Sequence, residues 1–154
     1  MKQYVKYFII SVIIIGFFQS LIQKTPLEKQ QEQLLNSYEN SALMEQAKNA
    51  SKSGDYMKAF EISEKLCSKG VPDGCALLAT FHNANGDNFK ALEVAEKACD
   101  KNSPIGCDLL GKLYEEGGGV KQDFKKAKEF YGKACDLKYN DGCESYKKLN
   151  ERGY

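Results

Sequence analysis

Cysteine pairs recur at a fixed spacing along the chain, and this spacing limits what the chain can fold into. The two members of each pair lie eight residues apart, in CSKGVPDGC (67–75), CDKNSPIGC (99–107) and CDLKYNDGC (135–143). An alanine lies eight residues before each pair, at Ala59, Ala91 and Ala127, so the unit repeats after 32 and then 36 residues. A period of this length is typical of stacked supersecondary units that cannot bury their apolar faces alone. The spacing therefore predicts a solenoid.

The segments within each unit have the pattern of amphipathic helices joined by short glycine turns. Glycine in these turns allows a positive φ, and Asp55, Asn88 or Asp123 is expected to cap the following helix. The third turn is four residues longer than the others, which explains the longer second period. The predicted helices cover 41–53, 56–69, 73–85, 88–101, 105–116, 123–137 and 141–151.

The N-terminal 22 residues have the order of a secretory signal. Lys2 and Lys6 precede an apolar run over 7–18, but the bulky residues after this run leave the cleavage site unclear. The apolar stretch is also shorter than the roughly 20 residues that span a bilayer comfortably. We therefore expect export, with residues 1–22 either cleaved or retained as an anchor, and a membrane contact only if they are retained.

Two further segments follow the leader. Residues 23–40 are predicted to be a polar linker with helical propensity, which starts with a capping box formed by Thr25 and Glu28. Residues 41–154 are predicted to be the repeat domain.

Composition argues against nucleic-acid binding and against a histidine-based site. The net charge of +1 becomes about −1 without Lys2 and Lys6. Basic and acidic residues are interspersed through every predicted helix, so the chain lacks the basic patch that nucleic-acid binding requires. His82 is the single histidine, so neither a His-rich metal cluster nor a His-centred triad can be built. We expect no metal and no cofactor, and we expect His82 to pack between helices.

Six cysteines in an exported chain predict three disulfides. Six cysteines allow 15 pairings, and the repeated spacing favours pairs within each nine-residue segment. The favoured pairs are Cys67–Cys75, Cys99–Cys107 and Cys135–Cys143. Each would tie the end of one helix to the start of the next, and closing a nine-residue loop is worth about 2.5 kcal/mol. A zinc site fits poorly, because zinc ligands converge in one place and these pairs lie one repeat apart.

The third unit carries the residues of a known repeat. They are Leu110-Gly111-Lys112-Leu113-Tyr114, Gly117, Gly119-Val120, Asp123, Lys126-Ala127, Phe130-Tyr131 and Lys133-Ala134-Cys135. This segment resembles the Sel1-like repeat, a relative of the tetratricopeptide repeat. With one cysteine pair in each unit, the chain is similar to the Helicobacter cysteine-rich protein family. The first two units differ by their shorter turn, and His82 stands where the third unit has Tyr114.

The resemblance implies an all-α fold, a short right-handed α-solenoid of stacked antiparallel helix pairs with one disulfide per repeat. The repeats cover 41–72, 73–104 and 105–140, and a capping helix covers 141–152. In tetratricopeptide-like arrays the first helix of each pair lines the concave face. The register places on that face the polar residues Thr80, Asn83, Asp108, Lys112, Glu115, Glu144 and Lys148. They either hold a peptide or form a solvated helix face.

Two functions follow from the resemblance. The first is binding of a protein or peptide in this groove by a monomeric protein in the periplasm or outside the cell. The alternative is a β-lactamase or penicillin-binding hydrolase, which would need S-x-x-K with S-D-N and K-T-G motifs. The segment from Ser145 to Lys148 is a formal S-x-x-K without either companion, so no catalytic residue is predicted. A third possibility is a membrane-tethered periplasmic organiser, if the leader is retained.

Overall fold

The computed structural model describes residues 24–154, which form seven α-helices and no β-strand. The helices are α1 Pro26–Lys52, α2 Tyr56–Ser68, α3 Pro72–Ala84, α4 Asn88–Asp100, α5 Pro104–Glu116, α6 Phe124–Asp136 and α7 Asn140–Glu151. The predicted all-α class is confirmed. The predicted signal or anchor over 1–22 lies outside the described residues. Among the helices described, none has the length and apolar character needed to cross a bilayer.

The described residues divide into two units, with the boundary between Glu39 and Asn40. The described part of the first unit is the N-terminal half of α1, where every residue is exposed. Its start is the predicted capping box. Thr25 Oγ1 accepts from the Glu28 N–H at 3.2 Å, and the Glu28 carboxylate accepts from the Thr25 N–H at 2.7 Å. The Thr25 N–H and the Thr25 hydroxyl both donate to the Glu28 carboxylate, and these two hydrogen bonds hold the pKa of the Glu28 carboxyl below its usual range.

The sequence predicted a separate helix from residue 41, and in this respect the prediction was wrong. The structure has one continuous helix, α1, over 27 residues. No glycine and no second proline lies between Pro26 and Lys52, so nothing in the backbone interrupts the helix.

In the second unit the helices stack in the order of the sequence. Each helix from α2 to α6 packs against the next one, and α3 also packs against α5, as α5 does against α7. Since α3, α5 and α7 are the first helices of their pairs, these first helices form one continuous layer. The predicted solenoid of stacked helix pairs is confirmed.

Aspartates in the turns begin the second helices of the pairs. Asp55, Asp87 and Asp123 each accept a hydrogen bond from a backbone N–H in the first turn of α2, α4 or α6. The cap of α4 is therefore Asp87, and the prediction of Asn88 was wrong by one residue, because Asn88 is already the first helical residue. The glycine turns are confirmed, since Gly54, Gly86 and Gly117 have φ values of 82°, 79° and 77°.

Three disulfides connect successive helix pairs. Each joins the last turn of a second helix to the first turn of the next first helix, and the described residues contain no free cysteine. The disulfides are Cys67–Cys75, Cys99–Cys107 and Cys135–Cys143. The structure thus has one disulfide per repeat.

A glycine before the second cysteine of each pair lets these helices touch. A Cβ added at Gly74, Gly106 or Gly142 would lie 2.3, 2.6 or 2.6 Å from the Cβ of Leu66, Ala98 or Ala134. Separations below 3 Å are too short for two carbon atoms, which attract best at about 3.5–4.0 Å. The Gly-Cys dipeptide is therefore a packing requirement at every junction between repeats.

Candidate binding surface

The first helices present equivalent residues on one side of the second unit. The periods of 32 and 36 residues place Lys48, Thr80, Lys112 and Lys148 at the same position of α1, α3, α5 and α7. All four are exposed. We call the surface formed by these residues and by the first-helix residues one turn away the inner face. It contains all seven residues predicted for the groove.

The predicted groove residues differ in how free their side chains are. The Thr80 hydroxyl donates to the Ala76 carbonyl of its own helix at 2.9 Å. The Lys112 Nζ lies 4.0 Å from the Glu116 carboxylate, and both side chains are exposed. Asn83 is half-buried, whereas Glu144 and Lys148 are exposed. The set is therefore an open, polar surface rather than a closed site.

A wide cavity lies between α5 and α7 at one end of the inner face. It has a volume of about 540 Å³ and is lined by Glu115, Ser145, Lys148, Glu151 and Arg152. Two predicted groove residues, Glu115 and Lys148, are among them. Ser145 and Lys148 are also the first and last residues of the formal S-x-x-K segment, so the structure brings both to the same cavity.

Arg152 is held in this cavity by an ion pair and by two aromatic rings. Its Nη1 lies 3.1 Å from Glu115 Oε1, and its guanidinium lies 5.0 and 5.2 Å from the ring centres of Phe124 and Tyr154. The Tyr131 hydroxyl donates to the other Glu115 oxygen at 2.9 Å. Burial and this hydrogen bond raise the pKa of Tyr131 above its usual range. Sequence reasoning missed Arg152, although it is the single arginine in the chain.

A smaller cavity lies at the other end of the inner face. Its volume is about 100 Å³, and its lining comes from α1, α3 and α5: Met44, Lys48, Asp73, Leu77, Thr80 and Ile105. Thr80 is the only one of these that the sequence placed in the groove. The repeat register could have found two of the others, because Lys48 is equivalent to Lys112, and Met44 to Asp108.

Asp108 lies on α5 between the two cavities, and its environment is unfavourable for a charge. It is half-buried, and its Oδ1 accepts no hydrogen bond from any described residue. Burial and the nearby Asp141 raise the pKa of Asp108 to about 6, against the opposing influence of Lys112. The carboxylate is therefore charged at neutral pH at a cost to the folded state.

Replacement of Asp108 by Asn is expected to stabilise the protein at pH 7.5 and to have little effect at pH 4. The folded-state pKa lies above the unfolded value, so the wild type gains stability from protonation below pH 4 and loses it as the pH rises through 6. Between pH 4 and pH 7.5 this effect lowers the free energy of unfolding of the wild type by roughly 1 kcal/mol, after allowance for the partial exposure of Asp108. Urea unfolding of both proteins at the two pH values measures it.

The control is Glu144→Gln at the equivalent, exposed position of α7, which should change the stability by less than about 0.5 kcal/mol at either pH. A wild type and an Asp108→Asn variant that lose equal stability between pH 4 and pH 7.5 would refute this account of Asp108.

His82 packs between helices. Its ring lies edge-on to the Phe60 ring of α2, with centres 5.6 Å apart. Its side chain is 15% exposed, and its Nδ1 lies 3.9 Å from the Asp87 carboxylate. The described residues contain no group of acidic, cysteine or histidine side chains that could hold a metal ion.

The comparisons with known proteins agree with this architecture. A model of the Sel1 repeat matches residues 104–139. A solved structure, cysteine rich protein B of Helicobacter pylori, is 34% identical with a TM-score of 0.52. The match covers 57% of this chain and 69% of that one. The chain belongs to the Sel1 repeat family. A Sel1 repeat protein from Oxalobacter formigenes shares the fold, with 23% identity, a TM-score of 0.60 and coverage of 73% and 91% of the two chains. No curated protein matches the chain at a significant level.

The Sel1 match covers one of the three repeats. It contains α5, α6 and the long turn between them. The first two Sel1-like units have the same helix pairs and the same disulfide position, but their turns within the pair are shorter. The structure therefore shows the helix pairs of the family in two further repeats, which the Sel1 family model does not match.

Proposed function

We propose that this protein binds an extended segment of a partner protein along the inner face. The observation that supports this most is the position of two cavities on the same surface, one between α1, α3 and α5 and the other between α5 and α7. Packed helices lie about 8–10 Å apart, so the four first helices extend over roughly 25–30 Å. An extended segment of about eight or nine residues covers that distance.

Family membership supports the same function. Sel1 repeat proteins generally mediate protein–protein interactions. The inner face offers mixed charge from Lys48 at one end to Arg152 at the other, which is suited to a polar main chain with a few anchoring side chains. Binding of this kind involves no covalent step. We propose that the protein acts as a monomer without a metal or cofactor.

We also propose that the protein is exported to the periplasm or beyond the cell. The protein has three disulfides. Disulfides persist in oxidising compartments and are rare where thiols are kept reduced. The leader-like sequence of residues 1–22 is consistent with such a route, as a cleaved signal or as an anchor.

Site-specific photo-crosslinking tests the proposed surface with a control that the repeat itself supplies. Lys97 and Lys133 lie at equivalent positions of the second helices α4 and α6 and are exposed, as Lys112 and Lys148 are on the first helices. A photoreactive amino acid at position 112 or 148 is expected to crosslink a partner protein in the native compartment. The same amino acid at 97 or 133 is expected to give no such product. Crosslinks that come mainly from 97 and 133 would contradict the proposal.

The alternative is hydrolysis of a β-lactam, and one observation favours it. Ser145 and Lys148 line one cavity, together with Arg152. However, the sequence contains neither S-D-N nor K-T-G, so the other groups of a serine β-lactamase are missing. We expect no hydrolysis of a chromogenic cephalosporin above background, and hydrolysis that disappears in Ser145→Ala would establish the alternative instead.

A further inference from the structure

Two residues that line the small cavity on the inner face are apolar, although the equivalent residues of other repeats are charged. Ile105 is the second residue of α5 and is 40% exposed, whereas α3 and α7 have Asp73 and Asp141 at this position. Met44 occupies the position that is Asp108 in α5. Together with Leu77, these two side chains form an apolar wall around a volume of about 100 Å³. This volume suits a single aliphatic side chain, since it corresponds to roughly three water molecules.

The surface beside the cavity on α5 and α7 is acidic. Asp108 lies one helical turn after Ile105 and therefore on the same side of α5. Asp141 of α7 is close enough to raise the pKa of Asp108. Lys112, the cation that opposes this rise in pKa, also lies 4.0 Å from Glu116. A third acidic group, Asp73, lies on the rim itself, and its carboxylate accepts a hydrogen bond from the Ser103 hydroxyl at 2.8 Å.

We propose that the partner segment carries an aliphatic side chain, which fills this cavity, and a basic side chain about two residues away, which pairs with the Asp108 carboxylate. This inference rests on the proposed binding function and specifies the chemistry of the partner. An ammonium or guanidinium group would pair with the negatively charged Asp108 carboxylate and offset the repulsion from Asp141. An acidic segment would instead meet Asp73, Asp108 and Asp141 together.

Lys48 is the one cation on the rim, and it lies on the opposite, α1 side of the cavity. It therefore favours one direction of the bound segment, with the basic residue toward α5 and α7. The same arrangement predicts weaker binding below pH 6, because protonation removes the charge of Asp108.

The test uses random twelve-residue peptides displayed on phage and selected at pH 7.5 on the full-length, oxidised chain. Selected peptides are then synthesised, and their affinities are measured by fluorescence anisotropy. We expect enrichment of sequences with an aliphatic residue and a lysine or arginine one to three positions apart. We expect Ile105→Asp to weaken binding at least tenfold and Asp108→Asn about fivefold.

The variants are chosen so that loss of folding does not imitate loss of binding. Ile105→Asp introduces the residue that α3 and α7 already carry at this position. The control, Phe89→Asp, replaces a 77% exposed apolar residue at the same second position of α4, away from the inner face. Binding to Phe89→Asp should stay within twofold of wild type.

Four results would overturn the inference. If the affinity of the selected peptides depended on Lys112 and Lys148 but not on Ile105 or Asp108, the inferred aliphatic and basic side chains would be wrong, and the proposed binding surface would still hold. Failure to enrich any peptide, or sensitivity to Phe89→Asp alone, would count against both. A dimer of the chain that dissociates in Ile105→Asp would show that a second copy, and not a partner segment, occupies the cavity.

Discussion

Reduction of the three disulfides is expected to unfold the repeat domain at 37 °C. Each disulfide closes a nine-residue loop, and by the chain-entropy model each loop contributes about 2.5 kcal/mol, or roughly 7.5 kcal/mol for the three. Domains of this size are stable by only about 5–15 kcal/mol. Many of the buried positions are alanines, among them Ala59, Ala91 and Ala127, so the core offers limited apolar area to replace this contribution.

Urea unfolding followed by circular dichroism, with and without a reductant, measures the effect. Replacement of the single pair Cys135 and Cys143 by serine should lower the free energy of unfolding by about 2.5 kcal/mol, a third of the full effect. An unchanged unfolding midpoint in a sample that mass spectrometry shows to be fully reduced would contradict the stabilising role of the disulfides.

Gly106→Ala is expected to destabilise the protein by about 3 kcal/mol or more. The added Cβ would lie 2.6 Å from the Cβ of Ala98 and 3.0 Å from the backbone nitrogen of Cys99. Neither atom can move alone, because both belong to the last turn of α4, and the disulfide from Cys99 to Cys107 holds this turn against α5. Overpacking of a rigid junction has costs of this order.

Gly132→Ala is the matched control. Gly132 also lies inside a helix, but a Cβ there would approach only the Tyr146 ring, at 3.4 Å, an ordinary contact. Alanine is the better helix former, so this variant should gain up to about 1 kcal/mol. Thermal unfolding of both variants with intact disulfides gives the comparison. Equal effects at the two positions would show that the junction is not as tightly packed as the structure indicates.

The repeat could be predicted from the sequence because its signals are local. Cysteines, turn glycines and capping aspartates recur in register, and each fixes a helix boundary within a few residues. Three helices start one residue earlier than predicted, at Pro72, Pro104 and Asn140. At the first two, proline is well suited to the first helical position. The continuity of α1 was missed because a polar stretch was interpreted as a linker, although it contains nothing that breaks a helix.

The cavities could not be predicted in the same way. Met44 and Ile105 meet at one cavity although 61 residues separate them, and only the stacking of three first helices brings them together. Arg152 depends on Phe124, Glu115 and Tyr154, which come from different parts of the chain. The register identified the polar row from Thr80 to Lys148, but whether a position opens into a cavity depends on the packing of neighbouring repeats.

The most direct test of the proposed binding surface is the affinity of the crosslinked partner for two double variants. One places bulky side chains on the inner face, Lys112→Trp with Lys148→Trp, and the other places them at the exposed second-helix positions of the control, Lys97→Trp with Lys133→Trp. The first pair is expected to weaken binding at least tenfold, because both side chains lie along the proposed path of the segment. The second pair should leave the affinity within twofold of wild type. If the second pair abolished binding and the first did not, the partner would bind the second helices and the proposed function of the inner face would be wrong.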